Sequence, residues 1–533
     1  MPLTLEQAIG QKLLLSFDGT ALSAEMLETL RQQPVGGITL FRHRNVRSPE
    51  QVRALTAALQ RAAAETGQPP LLVAADQEGG QLMALGDGPT PFPGNLALGA
   101  TGSEGLARRV GAAIGRELAA MGINVNFAPV CDVNVNPQNP VVGTRSFGED
   151  PAQVARLSAA KIAGMQAAGV AATAKHFPGH GDTTFDSHDG APVLAHDAAR
   201  LRRIELPPFI AAIRAGVRLI MTAHIALPAL DDGRNLPATL SPKILRGLLR
   251  AELGFEGVIV SDAMDMRAIE QGPGLVVDAI AALTAGVDLL TLNHTAAEQR
   301  AVHAGLLQAA RRALLSPEAL LASAQRVLTL KGWLARHAQP SLDVVGCAEH
   351  RALALEVASR AVTLVRDTPG WLPLRLDPEA RVAALVPRPA DLTPADTSSY
   401  ITPALARALR KYHPSVHEFV IPLNPSEAEV AALREQMGDY ALVVVGTIHA
   451  TAHPGQAALV NALLAGNVRT VAVALRMPYD LLAYPAAPAY VCTYSIQPPA
   501  IEALAQALFG RIPFAGRLPV SIPEKPISDW SGA

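Results

Sequence analysis

The sequence predicts an α/β protein: an N-terminal (β/α)8 TIM-like barrel followed by a C-terminal α/β layered (sandwich) domain. Three observations carry that prediction. Eight short apolar, β-branched runs recur between residues 12 and 292, separated by Ala-, Leu- and Arg-rich sequence. A polar break follows, and then six more strand-like runs. The length of 533 residues exceeds one small domain, and 49% hydrophobic residues can build large cores.

The first eight runs are KLLLSF (12–17), GGITLF (36–41), LLVAAD (71–76), NVNFAPV (124–130), AATAKHF (171–177), RLIMTAH (218–224), GVIVSD (257–262) and GVDLLTL (286–292). Such runs fit strands buried on both faces, as in a parallel sheet. The stretches SPEQVRALTAALQRAAAE (48–65) and PAQVARLSAAKIAGMQAA (151–168) are amphipathic helical patterns that begin at Ser or Pro signals. Eight strand–helix units of this size fit a barrel over residues 1–335. Residues 336–348, opening RHAQPSLDVVG, are expected to form a linker. Residues 349–533 carry AVTLVRD (361–367), RVAALVP (381–387), VHEFVIP (416–422), YALVVVGTI (440–448), VRTVAVALR (468–476) and AYVCTYS (489–495), with helical stretches between them. They predict a second α/β layered domain. No Gly-rich phosphate loop follows its first strand, and GTIHATAHPGQ (446–456) is no nucleotide fingerprint. A structural or interface role is expected of this half.

A formal net charge of -2 supplies no basic field for nucleic acid or an anionic membrane surface. The three cysteines, Cys131, Cys347 and Cys492, lie far apart, without metal-type spacing. That usage suits a reducing compartment rather than a disulfide framework. The start MPLTLEQAIG lacks the basic and apolar segments of a signal peptide, and no apolar run is long enough to span a bilayer. The expectation is a cytoplasmic protein with no nucleic-acid or membrane partner.

A (β/α)8 barrel works at the C-terminal ends of its strands. Those ends carry Asp76, Asp132, Lys175, His176, His224, Asp262, Asn293 and His294. Asp262 ends the apolar strand GVIVSD and can serve as nucleophile, base or metal ligand. An N-cap is its ordinary alternative, for which Asp265 is better placed. The stretch KHFPGHGDTTFDSH (175–188) contains a proline and two glycines that force a loop. Asp186 and His188 stand two apart, so in extended chain they project to one side. Asp186 can then orient the imidazole and leave its other nitrogen to move a proton. Metal binding by His176, His180, Asp182 and His188 is the weaker alternative. H-x3-H-x-D-x5-H is not a zinc spacing, and no HExxH or CxxC accompanies it.

The same stretch closely resembles the signature of glycoside hydrolase family 3, in its β-N-acetylglucosaminidase branch. ADQEGG (75–80), NFAPVCDV (126–133), GTRSFGEDP (143–151), TAHIALPALD (222–231), PATLSPKIL (237–245) and GFEGVIVSDAMDM (254–266) follow in the family's order. The C-terminal half, closing AGRLPVSIP (515–523), resembles the α/β domain of two-domain members. The resemblance implies Asp262 as the nucleophile that forms a covalent glycosyl-enzyme, His188 as acid/base and Asp186 as its dyad partner. It implies Asp76, Arg145, Lys175 and His176 as ligands of the sugar's hydroxyls and acetamido region. The implied substrate is a small oligosaccharide or glycoside, cleaved with retention and with no metal or other cofactor. A role in recycling cell-wall fragments fits by analogy. Glucoside or xyloside specificity is the alternative, and a non-catalytic barrel has no use for a nucleophile. Phosphorolysis is a further alternative, since an imidazole that has given up its proton is neutral and does not repel phosphate as a glutamate would. The chain also departs from the family: in DQEGGQLMALGDG, Gln81 and Ala84 stand where a sugar-contacting arginine is expected. All three tryptophans (333, 371 and 530) fall at or beyond the end of the predicted barrel, which favours a short substrate held by polar groups.

Overall fold

The structure, a computed structural model, describes residues 3–187, 190–269 and 274–524. In chain order the strands are β1 (Leu13–Leu15), β2 (Gly37–Thr39), β3 (Leu72–Ala75), β4 (Gln77–Gly79), β5 (Leu82–Met83), β6 (Val125–Asn126), β7 (Ala171–Phe177), β8 (Leu219–Thr222), β9 (Val258–Ala263), β10 (Leu289–Leu292), β11 (Thr363–Asp367), β12 (Val382–Pro387), β13 (Val416–Ile421), β14 (Leu442–Thr447), β15 (Thr470–Ala474) and β16 (Ala489–Cys492). All eight apolar runs of the first half become strands, and they close into a parallel barrel in the order β1-β10-β9-β8-β7-β6-β3-β2. β7 matches its run in full and β9 is as long as its run, while the other six strands are shorter than theirs. The hairpin β4–β5 was not expected from the pattern, since its seven residues mix charge, glycine and apolar side chains without a clear period.

One end of the barrel is closed. The opening residues Leu72, Val125, Ala171, Leu219, Val258 and Leu289 share one buried cluster with Val327 and Leu330 of the helix Pro317–Leu334. Pro at the first turn and Ser316, whose side chain accepts from Ala319 N, start that helix. Trp333 belongs to this floor and stacks under Arg218, 4.6 Å from its ring centroid. Chemistry is left to the opposite, C-terminal mouth.

The second sheet has the order β11-β16-β15-β14-β12-β13, parallel apart from β11. Six runs of the sequence account for its six strands. The two halves of the chain are joined by buried polar contacts as well as apolar packing. Gly346 N and His350 Nδ1 donate to Glu117 Oε1 at 3.0 and 2.7 Å, and Gln497 Nε2 donates to the Gly80 carbonyl at 2.7 Å. Among the described residues no helix is long and apolar enough to cross a membrane.

Candidate active site

A cavity of about 850 Å3 opens at the C-terminal mouth of the barrel, and Asp76, Arg145, Lys175, His176 and Asp262 all line it. Five of the seven residues singled out from the sequence thus meet around one space. Asp186 is buried in the loop beyond β7, and its neighbour Ser187 lines the cavity. His188 lies outside the described residues.

Consecutive Lys175 and His176 both reach this cavity, which strict strand alternation would forbid. The register of β7 against β8 shifts between Ala174 and Phe177, and a bulge of this kind re-aims side chains. Asp76 and Glu78 stand two apart, so both point to Lys175, whose Nζ lies 2.7 Å from Asp76 Oδ1 and 2.7 Å from Glu78 Oε1. Arg145, from the 3-10 turn Gly143–Arg145, grips Glu78 with two bonds: Nε to Oε2 at 3.0 Å and Nη2 to Oε1 at 2.8 Å. Two carboxylates therefore balance two cations. Burial alone would raise the Glu78 carboxyl, but Arg145 and Lys175 outweigh it and hold the group well below the usual carboxylate range. Burial likewise opposes the charge of Lys175, and Asp76 and Glu78 reverse that, leaving its pKa raised. Glu78 was not singled out from the sequence, although its place two residues after Asp76 in ADQEGG is the signal that marks it.

Asp132 works behind His176. Its Oδ2 lies 2.7 Å from His176 Nδ1, and its Oδ1 accepts from the backbone N–H of His176 and of His180 at 3.2 and 2.8 Å. A carboxylate on Nδ1 makes that nitrogen the donor and turns Nε2 toward Arg145 Nη2, 3.5 Å away. Buried Asp132 would be raised by desolvation, but His176 and His180 lower it below the ordinary value.

The loop after β7 is held by close backbone approach and by polar anchors. A Cβ on Gly181 would lie 1.8 Å from the Val133 carbonyl oxygen, so only glycine fits there. Asn139 Nδ2 donates to the carbonyls of His180 and Gly181 at 2.9 and 3.1 Å. Asp182 pairs with Arg200 at 2.7 Å and with His196 at 2.5 Å. Buried His180 contacts Thr183 Oγ1 through Nδ1 at 2.7 Å and Ser187 Oγ through Nε2 at 3.1 Å. Burial pushes its imidazole down to about 4. With the folded pKa below the ordinary 6.5, the unfolded chain takes up the proton first, so stability is lost as pH falls from 6.5 to about 4. Urea midpoints measured across that window are expected to fall less in a His180→Asn variant than in the parent protein.

Asp262 stands at the end of β9, half-buried, with Oδ1 accepting from the Ala263 N–H at 2.8 Å. His224 Nε2 donates to the Ala263 carbonyl at 2.9 Å and so anchors that strand end from the neighbouring strand. Asp265 is no helix cap, contrary to expectation. It accepts from Asn293 Nδ2 at 3.3 Å, and among the described residues the next helix starts at Leu275. Asn293 lines the cavity, whereas Asp132, His224 and His294 do not. Among the described residues no group of three or more His, Cys, Asp or Glu side chains could hold a metal ion.

The second domain is more than an interface. Its loop after β12 brings Asp391, Thr393, Thr397 and Tyr400 to the wall of the same cavity. Gln81, expected where an arginine would meet the sugar, is turned instead toward that loop. Its Nε2 donates to the Ala395 carbonyl at 3.2 Å, and its Oε1 accepts from Thr144 Oγ1 at 2.6 Å. Ala84 lines the cavity with a methyl group that can make no hydrogen bond, and its backbone N donates to the Asp76 carbonyl at 3.1 Å.

Residues 4–330 match the model of the glycosyl hydrolase family 3 N-terminal domain. Beta-hexosaminidase A of Pseudoalteromonas piscicida is 34% identical, covering 98% of each chain. A beta-N-acetylglucosaminidase/beta-glucosidase of Cellulomonas fimi is 32% identical, covering 88% of this chain and 87% of the relative. Among solved structures, a glycoside hydrolase family 3 beta-N-acetylglucosaminidase from Paenibacillus sp. str. FPU-7 superposes with a TM-score of 0.92 at 40% identity, covering 98% of this chain and 99% of the other.

Proposed function

The chain belongs to glycoside hydrolase family 3, and from that premise we propose that it is a retaining exo-β-N-acetylglucosaminidase. The observation that carries this is the meeting of Asp262, Asp76, Arg145, Lys175 and His176 around one cavity, with Glu78 paired to Arg145 and Lys175. A carboxylate at a rigid strand end can attack, while a charge-balanced set of donors and acceptors can hold a sugar's hydroxyls. The relatives named for N-acetylglucosamine or hexosamine chemistry support the choice of sugar.

In the first step a carboxylate oxygen of Asp262 attacks C1, the C1–O bond to the leaving group breaks, and His188 gives its proton to the departing oxygen. The product is a glycosyl ester of Asp262. In the second step water attacks C1, His188 takes the water's proton, and the ester bond breaks to return Asp262 as a carboxylate. Asp186 orients His188 and stabilises the imidazolium. Asp76, Arg145, Lys175 and His176 hold the sugar. Arg145 and Lys175 arrive already fixed by Glu78, so little order is lost on binding. The proposed substrates are short chito-oligosaccharides or cell-wall fragments handled inside the cell. The three free cysteines support that location.

The test is nitrophenol release from the nitrophenyl β-glycoside of N-acetylglucosamine beside the glucoside and the xyloside. A strong preference for the acetamido sugar is expected. Preference for either other sugar would move the substrate and leave the family in place. Sugar 1-phosphate formed in phosphate buffer would replace hydrolysis by phosphorolysis.

A further inference from the structure

The loop after β12 leaves the second sheet where its chain connections part. From β12 the chain goes to β13 on one side and then returns to β14 on the other. In doubly wound sheets ligands bind in the crevice at such a point. Here Gln81, Asn139 and Thr144 of the barrel line that crevice together with Leu392, His449 and Arg476, and the loop also lines the barrel's own cavity. Thr397 N and Oγ1 donate to the Gln81 carbonyl at 2.8 and 2.9 Å, and Met83 N donates to Thr397 Oγ1 at 3.1 Å. A single buried ion pair fastens the loop to its sheet. Asp396 accepts from Leu392 N and Ser398 N at 3.1 and 2.9 Å, which makes the turn. Arg476, two residues beyond β15, then holds that carboxylate through Nη2 alone, at 3.0 and 2.7 Å, and also donates to Ser398 Oγ. Both side chains are buried. The same loop ends in Tyr400, which is 50% exposed at the cavity wall, with the Arg42 guanidinium 4.0 Å from its ring centroid.

We propose that Arg476 is a positioning residue for leaving-group binding: through Asp396 it holds the loop so that Tyr400, backed by Arg42, presents its ring to the second sugar of the substrate. This rests on the glycosidase reading above. A flat ring beside hydroxyl and carboxylate groups suits a pyranose, which offers C–H faces and hydroxyl edges. Without Arg476 the buried Asp396 carboxylate has lost the only cation that pairs with it among the described residues, and the loop must move to hydrate it. Because one nitrogen makes every contact, a lysine ammonium can replace the guanidinium here, which it cannot do at a bidentate site.

The experiment compares the β-1,4-linked disaccharide of N-acetylglucosamine with N-acetylglucosaminyl fluoride, whose leaving group is too small to reach the loop. In Arg476→Met, kcat/KM for the disaccharide is expected to fall about 10-fold further than for the fluoride, through KM. Tyr400→Ala should reproduce that selective loss, and Arg476→Lys should recover most of it. Tyr400 is half exposed, so its variant reports even if Arg476→Met fails to fold. Equal losses on both substrates, or no loss in Tyr400→Ala, would overturn the proposal. A parent protein idle on both substrates would instead remove the activity proposed above.

Discussion

Asp262→Ala is expected to lower kcat by on the order of 10⁴–10⁶-fold while the protein stays folded. The side chain is half-buried at a strand end, and Oδ1 accepts from the Ala263 N–H. The backbone of β9 is paired on both sides, with β8 and β10, and does not depend on this carboxylate. Stability should therefore change by about 1 kcal/mol or less, the range of substitutions outside a core. Activity should collapse because no other carboxylate is proposed to form the ester. A fluorinated sugar that traps the intermediate should label the parent protein at Asp262, seen as a mass increment on the peptide spanning β9. A label on any other residue would sink the assignment. Partial return of activity with azide, a small anionic nucleophile that can enter the space left by the carboxylate, would support it.

Glu78→Gln should damage both stability and catalysis. Glu78 is buried and holds Arg145 with two bonds and Lys175 with one. Its backbone carbonyl accepts from buried Lys161 at 2.8 Å, so the cluster is joined to the helix Pro151–Ala167. An amide keeps the shape but leaves two buried cations facing one remaining carboxylate, Asp76. Breaking a buried pair from one side typically costs about 3–5 kcal/mol. The expected result is a lower urea midpoint together with a raised KM, because Arg145 and Lys175 lose the anchor that aims them. The pH dependence has a definite sign. The folded pKa lies below the ordinary 4.5, so this stabilisation is complete above 4.5 and is lost as pH falls below it. The variant should lack that acid-limb loss. A stability change under about 1 kcal/mol would show that the cluster is solvated and contributes little.

Much of the barrel was legible because both faces of its strands are buried, so each strand is written as a local apolar run. The strand ends were legible for the complementary reason. Where a buried run stops at Asp76, Lys175 or Asp262, the polar residue has a fixed place at the mouth. The hairpin β4–β5 was not, because its residues show no period and its hydrogen bonds run to Thr397 and Gln497, far along the chain. Asp265 misled because a cap depends on where the next helix begins, which packing sets. Gln81 was legible only as a departure from the family's arginine. Its position matched an arginine's, but its partners, Ala395 and Thr144, were invisible from its neighbours in the chain.

The sequence by itself determined the two sheets, the closed barrel and the set of polar residues at its mouth, since these follow from local hydrophobic pattern and turn chemistry. Only the tertiary structure decided which groups pair there: Glu78 with Arg145 and Lys175, Asp132 with His176, and a loop from the second domain as part of the cavity wall. Those pairings join residues up to several hundred positions apart. Their energies come from desolvation and close charge contact, which depend on how the packed elements meet and leave no periodic trace along the chain.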